Sequence, residues 1–226
     1  MVAALEKRIA EMTQKARILI VDDHPSVREG LMWRMSKLTD LEICGEAADA
    51  EDALRKFKKL RPDLVLVDVS LKQSNGLDLV KRLVALGPVK ALVHSTFDES
   101  IYAERALEAG AMGYINKEES GDQLIAAIRE VLNGRIYLSQ NFTQQMLMRR
   151  RSGAPPATNM VENLSDRELE VFQLIGQGLV TGEIARQLNL SPHTLDTHRA
   201  NIKRKLGLQN AAELNRAASV WVHENA

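Results

Sequence analysis

Short apolar runs alternate with segments of helical periodicity along the first half of the chain. The apolar runs, each rich in Val, Ile or Leu, are RILIVDD, LEICGEA, PDLVLVD, VKALVHS and AMGYIN. Nearly continuous runs of this length are typical of parallel strands that are covered on both faces. Helical patterns follow them near residues 25–37, 50–60, 77–86 and 99–109, with a fifth from about 120 to 132. Five strand–helix repeats predict an α/β fold with a doubly wound, five-stranded parallel sheet.

Residues 134–163 break this alternation. They contain a short helical stretch around Gln144–Met148, followed by RRRSGAPPATN. Because three arginines followed by Ser, Gly and two prolines cannot continue a helix, we interpret this second segment as a linker. The arginine run is either a phosphate-contacting arm or, as is commoner for such runs, simply solvated.

The chain from residue 164 to 222 has helical patterns throughout. Ser165 and Glu168 have the spacing of a capping box, which predicts a helix from there to about Ile175. A second short helix covers EIARQLNL. Ser191-Pro192 then supplies a cap for a third helix that ends before Gly207, and a fourth spans roughly 210–222. Two short helices joined by a tight turn, the second capped and basic, predict a small all-α helix-turn-helix domain.

Charge is divided unevenly between the two halves of the chain. Residues 1–133 carry 19 Lys and Arg against 22 Asp and Glu, whereas residues 134–226 carry 11 against 8. This small asymmetry favours an acidic module joined to one that meets a polyanion. The single cysteine, Cys44, excludes a disulfide framework and is expected to be a small buried hydrophobe. The sequence has no apolar run near the ~18 residues of a membrane span and no signal peptide, so we expect a cytoplasmic protein.

Three carboxylates fall at the ends of predicted strands. Asp22 and Asp23 follow ILIV, and Asp68 follows LVLV. In a parallel sheet with strand order 2-1-3-4-5 the first and third strands are neighbours, so the three carboxylates converge. Like charges at this spacing need a cation, and oxygen-only ligands suit Mg²⁺. With the metal present, one carboxylate can act as a nucleophile toward phosphorus.

Phosphoryl transfer to a carboxylate also needs a cation for the phosphoryl oxygens and a hydroxyl donor. Lys117 follows the fifth predicted strand, and Ser95 ends the fourth. A lone Asp at a strand end is usually a cap or turn residue, and Lys117 alone would carry no meaning. The combination of these residue types at the ends of four strands predicts a phosphoryl-accepting site.

The motifs ILIVDDHP, LVLVDVSL with GLDL, Ser95 and GYINK resemble those of the receiver domain of two-component response regulators. The resemblance covers residues 17–132 and implies a flavodoxin-like receiver fold. It implies phosphorylation at Asp68. It also implies that Asp22, Asp23 and Asp68, with the backbone carbonyl of Ser70, hold the Mg²⁺ ion.

The same resemblance implies a switch pair next to the phosphorylation site. The Ser95 hydroxyl would turn toward the phosphoryl group, and the Tyr114 ring would follow into the vacated space, while Lys117 would contact the phosphoryl oxygens. Lys72 departs from the family, which often has proline there, and a looser loop after the acceptor is expected. His24 and His94 flank the site and match no role in the family. His24 is expected only to pack or to cap a helix.

Residues 164–221 resemble the LuxR-type helix-turn-helix of NarL/FixJ-class regulators in LSDRELEVFQLIGQGL, EIARQLNLS and TLDTHRANIKRKLGL. The two resemblances divide the chain into four parts: an N-terminal extension (1–16), a receiver domain (17–133), a linker (134–163) and a DNA-binding domain (164–226). They imply a sensor histidine kinase as phosphoryl donor and double-stranded DNA as ligand. They also imply a homodimer that forms on phosphorylation, without any membrane attachment.

A helical wheel of the third helix separates packing positions from DNA-contacting ones. Leu195, Ile202 and Leu206 share an inward side, and His198 beside them is expected to be partly buried. The opposite side presents the candidates for contact with DNA bases in the major groove, which are His193, Asp196, Thr197, Ala200 and Arg204. On the flank, Arg199 and Lys203 are expected to reach phosphates or a partner within the domain. Two departures leave the base preference open: Val180-Thr181-Gly182 replaces Ser-Asn-Lys, and Asp196 stands where many members have lysine.

Four functions were weighed against these residues. The first is a signal-gated DNA-binding regulator without enzyme activity of its own. An aspartyl-phosphate hydrolase would need a second general acid two residues after Asp68, where Ser70 stands, as well as a cap domain. A pure protein-interaction module would not need the intact helix-turn-helix. A small-molecule-gated LuxR-type sensor would need a ligand-binding domain where the receiver motifs stand.

Overall fold

A computed structural model describes residues 15–71, 74–151 and 161–224 of the chain. Its main sheet is parallel and five-stranded and consists of β1 (Ala16–Val21), β2 (Leu41–Ala47), β3 (Leu64–Val67), β6 (Ala91–Ser95) and β7 (Tyr114–Asn116). The strands lie in the order β2-β1-β3-β6-β7, which confirms the predicted order. Two short strands, β4 (Ser70–Leu71) and β5 (Ser74–Asn75), pair antiparallel just after β3. Residues 1–14 of the predicted extension and Lys72 lie outside the described residues.

Five helices cover the two faces of this sheet and follow the predicted ranges to within two residues. They are α1 (Pro25–Met35), α2 (Ala50–Leu60), α3 (Gly76–Ala85), α4 (Glu99–Glu108) and α5 (Gly121–Leu132). Alternate strand residues point to opposite faces. Accordingly Ile18 and Ile20 pack with α1 and α5, whereas Leu19 and Val21 pack with α2, α3 and α4. Cys44 lies in the edge strand β2 and is only partly buried, which corrects the expectation of full burial.

A sixth helix, α6 (Gln140–Arg151), differs from the sequence-based prediction. It begins four residues earlier than Gln144 and continues through the arginine run, which the sequence predicts as part of the linker. Arginine is a good helix former, so the run extends the helix. At its start the Ser139 hydroxyl accepts a hydrogen bond from the Phe142 amide at 3.1 Å, and the Phe142 ring is buried in the receiver core.

The C-terminal domain contains the four predicted helices, α7 (Asp166–Gly176), α8 (Thr181–Gln187), α9 (Pro192–Leu206) and α10 (Ala211–Glu224). The capping box at α7 is formed, since the Glu168 carboxylate accepts from the Ser165 amide at 2.8 Å. Ser191 caps α9, and Gly207 ends it with a left-handed backbone conformation (φ 68°). None of the helices in the described ranges combines the length and apolarity needed to span a bilayer.

The apolar core is continuous between the two domains. Buried residues of α7, among them Leu169 and Phe172, belong to the same cluster as Phe97 and Tyr102 of the receiver half. Every residue of α7 from Asp166 to Ile175 is buried. The first helix of the C-terminal domain is therefore enclosed by its own domain on one side and by the receiver half on the other.

Candidate phosphoacceptor site and DNA-binding face

The three predicted carboxylates converge at the carboxyl ends of β1 and β3. These strands are neighbours in parallel register, with Val21 opposite Val67, so Asp22 and Asp68 follow them at the same edge. The Asp68 amide donates to the Val21 carbonyl at 2.8 Å and continues the ladder by one step. Asp22 and Asp68 are almost fully buried, at 2% and 3% exposure.

Lys117 joins two of these carboxylates. Its ammonium group donates to Asp22 Oδ2 at 2.7 Å and to Asp68 Oδ2 at 2.8 Å. The Lys117 amide donates to the Ser95 carbonyl at 2.8 Å, so the ends of β6 and β7 hold the lysine in place. Burial lowers the pKa of Lys117, but the Asp68 and Asp22 carboxylates more than offset this, and its pKa lies above the ordinary value.

The carboxyl group of Asp68 has a raised pKa in this setting. Burial raises its pKa to about 6, with the Lys117 charge opposing this shift and the Asp22 charge adding to it. Its second oxygen, Oδ1, and the hydroxyl oxygen of fully buried Ser95 have no hydrogen-bond partner among the described residues. A buried charged oxygen without a partner is costly, so the site is suited to a cation or a phosphoryl group that would satisfy it.

The residues present fit a divalent cation. Ligand atoms of Asp22, Asp23, His24 and Asp68 all lie within 4.8 Å of one another. Three carboxylates form the hard oxygen set that Mg²⁺ prefers. His24 was expected only to pack or cap, but its Nδ1 lies 2.7 Å from Asp23 Oδ1 and 3.5 Å from Asp22 Oδ1. Its amide also donates to Asp22 Oδ1 at 2.8 Å, so it helps to position the pair.

The Tyr114 ring is already fully buried. Its hydroxyl donates to the Phe97 carbonyl at 2.6 Å, two residues past Ser95. The two members of the predicted switch pair are thus both inside the protein. Because the ring is already inside the protein, this conformation shows no outward position from which it could move inward.

The candidate DNA-binding residues lie on an open face of α9. His193, Asp196, Thr197, Ala200 and Arg204 are exposed, while Leu195 and Ile202 are buried beneath them. Arg199 and Lys203 are half-buried, and Arg199 Nη2 lies 3.4 Å from Asn215 Oδ1 of α10. His198 is partly buried, and burial lowers its pKa. Lys205 is exposed and donates to Glu168 at 2.6 Å, so part of its charge is compensated by α7.

Comparisons with known proteins agree with this geometry. Residues 18–129 match the family model of the response regulator receiver domain, and residues 162–218 match that of the bacterial regulatory proteins of the luxR family. Response regulator GacA of Pseudomonas aeruginosa is 32% identical over 88% of this chain and 92% of its own length. The nitrate/nitrite response regulator protein NarL of Escherichia coli K12 is 30% identical over 93% of this chain and 96% of its own.

The chain belongs to the NarL/FixJ class of two-component response regulators. RcsB from Salmonella enterica serovar Typhimurium, solved bound to promoter rprA with a phosphomimetic, has the same fold. Its TM-score is 0.59 at 23% identity, over 91% of this chain and 99% of that one. The combination of a receiver with a LuxR-type DNA-binding domain makes this protein a regulator that binds DNA.

Two features of this response regulator were missed by sequence reasoning. His94, beside Ser95 in β6, is buried, and burial followed by the Lys117 charge lowers its pKa to about 4. Gly76 begins α3 directly against the acceptor loop, where a Cβ atom would lie 1.8 Å from the Asp68 carbonyl oxygen. Only glycine permits this close approach. The GLDL motif carried the signal for Gly76, whereas the sequence placed His94 beside the site but gave no sign of its environment.

A third missed feature of this response regulator is a polar contact between its two domains. The Ser70 hydroxyl donates to Glu170 Oε1 of α7 at 2.6 Å. Lys81 donates to Asp166 Oδ2 at 2.8 Å, and Arg105 donates to Asp166 Oδ1 at 3.0 Å. We call these three pairs the interdomain contact. Ser70 was predicted as a metal ligand through its carbonyl, and its side chain has this separate role.

Proposed function

We propose that this response regulator accepts a phosphoryl group on Asp68 from a sensor histidine kinase. A carboxylate oxygen of Asp68 attacks the phosphorus of a phosphohistidine, the P–N bond breaks, a P–O bond forms, and the imidazole leaves. The observation that carries the proposal is the state of Asp68, with one oxygen held by Lys117 and the other buried without a partner. Such an oxygen is available to the incoming phosphorus.

The chain's own residues divide the remaining tasks. The Asp22, Asp23 and Asp68 carboxylates, with the Ser70 carbonyl, would hold Mg²⁺, which supplies positive charge for the phosphoryl oxygens when bound. Lys117 and the Ser95 hydroxyl would contact those oxygens. Tyr114, whose ring is already buried, would stay packed beside Ser95 when the hydroxyl moves.

The output of this site would be DNA binding by a homodimer in the cytoplasm, where DNA lies. One α9 helix reads only a few base pairs, so useful specificity needs two copies on a pseudo-palindromic site. The exposed residues His193, Asp196, Thr197, Ala200 and Arg204 would face bases. Arg199, Lys203 and the helix end would face phosphates, whose attraction is independent of sequence.

The assignment of Asp68 is tested by phosphorylation with a small donor. Wild-type protein, D68N and a control D122N, which alters an exposed carboxylate on α5, are incubated with Mg²⁺ and phosphoramidate and separated on phosphate-affinity gels. We expect a shifted band for wild type and D122N and none for D68N. Omission of Mg²⁺ should abolish the band as well. Phosphorylation of D68N at the wild-type rate would show that the acceptor is another residue.

The proposed output is tested on the same samples. Sedimentation velocity should show a monomer before phosphorylation and a dimer afterwards, and a gel shift with cognate DNA should strengthen in parallel. A phosphorylated protein that stays monomeric both free and on DNA would contradict the dimer.

A further inference from the structure

The outward side of α9 carries a small apolar area among its polar residues. Thr197 and Ala200 are both exposed, and because they are three positions apart they are neighbours on the helix surface. Ala200 offers DNA only a methyl group. Thr197 has a methyl group and a hydroxyl group, so its contribution depends on where the hydroxyl is engaged.

The hydroxyl group of Thr197 is engaged within the helix. It donates to the His193 carbonyl at 3.0 Å, one turn earlier. This bond is a common reason for the rotamer that threonine adopts in a helix. Because a hydroxyl has a single proton, Thr197 has none left to donate to an acceptor on a base while this bond lasts. The Cγ2 methyl is the part of this side chain that stays available for a contact outside the helix.

The N-terminal half of α9 offers little to guanine. The commonest specific contact to guanine is a lysine or arginine that donates to its O6 and N7 acceptors. Residues 193–200 contain one such side chain, Arg199, which is half-buried with Nη2 3.4 Å from Asn215 Oδ1. The Asp196 carboxylate is exposed but only accepts hydrogen bonds, so it does not pair with acceptors either.

Thymine is the base whose chemistry matches two exposed methyl groups. It carries a C5-methyl group in the major groove, which alanine and the threonine methyl contact well. Side chains three positions apart on a helix lie roughly 5–6 Å from each other. Successive nucleotides of one strand lie about 3.4 Å apart along the duplex axis. The two methyl groups therefore match thymines that are one or two steps apart.

We propose that the methyl groups of Thr197 and Ala200 select thymine in each DNA half-site, through contact with its C5-methyl group. This inference rests on the proposed function of α9 as the helix that enters the major groove. Thr197 is then a residue that determines specificity by its methyl group, while its hydroxyl group only fixes the rotamer. Guanine is expected to be absent from the bases that these two residues contact.

The test begins with selection of a DNA probe. Full-length protein that has been phosphorylated with Mg²⁺ and phosphoramidate is used to enrich duplexes from a library with a randomised core. The core is long enough for two half-sites about 10 base pairs apart, centre to centre. The enriched sequence is then synthesised with thymine or with uracil at each conserved thymine in turn, a change that removes only the C5-methyl group. All titrations use one salt concentration, because affinity for DNA depends on salt.

Wild-type protein should lose affinity when a contacted thymine becomes uracil. Burial of one methyl-sized group contributes about 0.8 kcal/mol, which corresponds to about 4-fold in affinity for each contact. T197S keeps the hydroxyl and lacks the methyl, so it should bind the thymine and uracil forms equally at one of the conserved positions. T197V keeps a methyl and lacks the hydroxyl, so it should retain the preference of about 4-fold there.

T194S is the matched control for T197S. It removes the same methyl group from another exposed threonine of α9, whose hydroxyl oxygen lies 2.8 Å from that of Ser191 at the helix cap. On the helical wheel Thr194 lies off the side that would face bases, so T194S should keep the wild-type preference for thymine. Loss of this preference in T194S to the same degree as in T197S would overturn the proposal, because it would show a general change of the helix.

The remaining outcomes separate this inference from the proposed function. Equal binding of the thymine and uracil forms by wild type would overturn the inference and leave DNA binding intact. So would an enriched half-site without a conserved thymine, a T197S protein with the full preference, or a T197V protein without it. If selection enriches no sequence and the phosphorylated protein binds no duplex, the proposed function fails, and the inference fails with it.

Discussion

Replacement of Asp68 by Asn should stabilise the protein when no metal is bound. The Asp68 carboxylate is buried beside Asp22, and among the described residues Lys117 is the one cation paired with both. Asparagine removes the charge, keeps nearly the same volume and leaves an oxygen that can accept from Lys117. The proposed acceptor residue should therefore destabilise the folded protein when no metal is bound.

The size of the effect follows from the raised pKa. Folding raises the pKa of Asp68 from 3.8 to about 6, and at about 1.4 kcal/mol per pH unit this corresponds to about 3 kcal/mol. Because the folded protein binds more protons than the unfolded chain between these values, wild-type stability falls as pH rises through this interval. Above about pH 6 the full penalty is present. D68N should then be more stable than wild type by up to about 3 kcal/mol, and by progressively less as pH falls toward 3.8.

Urea unfolding in EDTA at a series of pH values from 4 to 8 measures this difference directly. Addition of Mg²⁺ should reverse its sign, because a ligand at 1,000 times its Kd stabilises the folded state by about 4.1 kcal/mol and Asn weakens the site. D122N serves as the control, since its carboxylate is exposed. A D68N protein that is less stable than wild type at pH 8 without metal would refute the reasoning.

Three further predictions concern other residues. Because burial lowers the pKa of His94 to about 4, the free energy of unfolding of the wild type should fall by up to about 3 kcal/mol as pH falls from 6.5 to 4. In acid unfolding curves H94L should lose less of this free energy. G76A should lower the free energy of unfolding by about 3 kcal/mol or more and lower phosphorylation, because its Cβ meets the Asp68 carbonyl. G182A, where a Cβ has open space, should stabilise the protein by up to about 1 kcal/mol in thermal unfolding. D196A should weaken cognate DNA binding by about 1–3 kcal/mol if Asp196 accepts from cytosine, and equal tightening on cognate and scrambled DNA at one salt concentration would contradict this.

The sheet and the acidic site could be predicted because their signals are local. Apolar runs such as LVLV mark buried strands, and the order of a doubly wound sheet then brings Asp22 and Asp68 together. Ser165 and Ser191 marked the helix starts by their own side-chain chemistry. In each case a few consecutive residues carry the whole signal.

The start of α6 and the environment of His94 could not be predicted in this way. The segment before Gln144 has no strong helical period, and what anchors it is the burial of Phe142 in the receiver core, with the Ser139 amide donating to Glu99 at 2.8 Å. The burial of His94 depends on residues far away in sequence. Tertiary packing decided both features, and local pattern does not report on it.

The polar character of the interdomain contact could not be predicted from the sequence, and there is a physical reason for this. Asp166 and Glu170 lie in the helix that follows the Ser165 capping box, and the sequence predicted no partner for either of them. Both are buried, and their partners are a hundred residues or fewer away on the receiver side: Ser70, Lys81 and Arg105. Buried ion pairs recover their desolvation cost only in part, so a contact built from them is weaker than an apolar one of equal area.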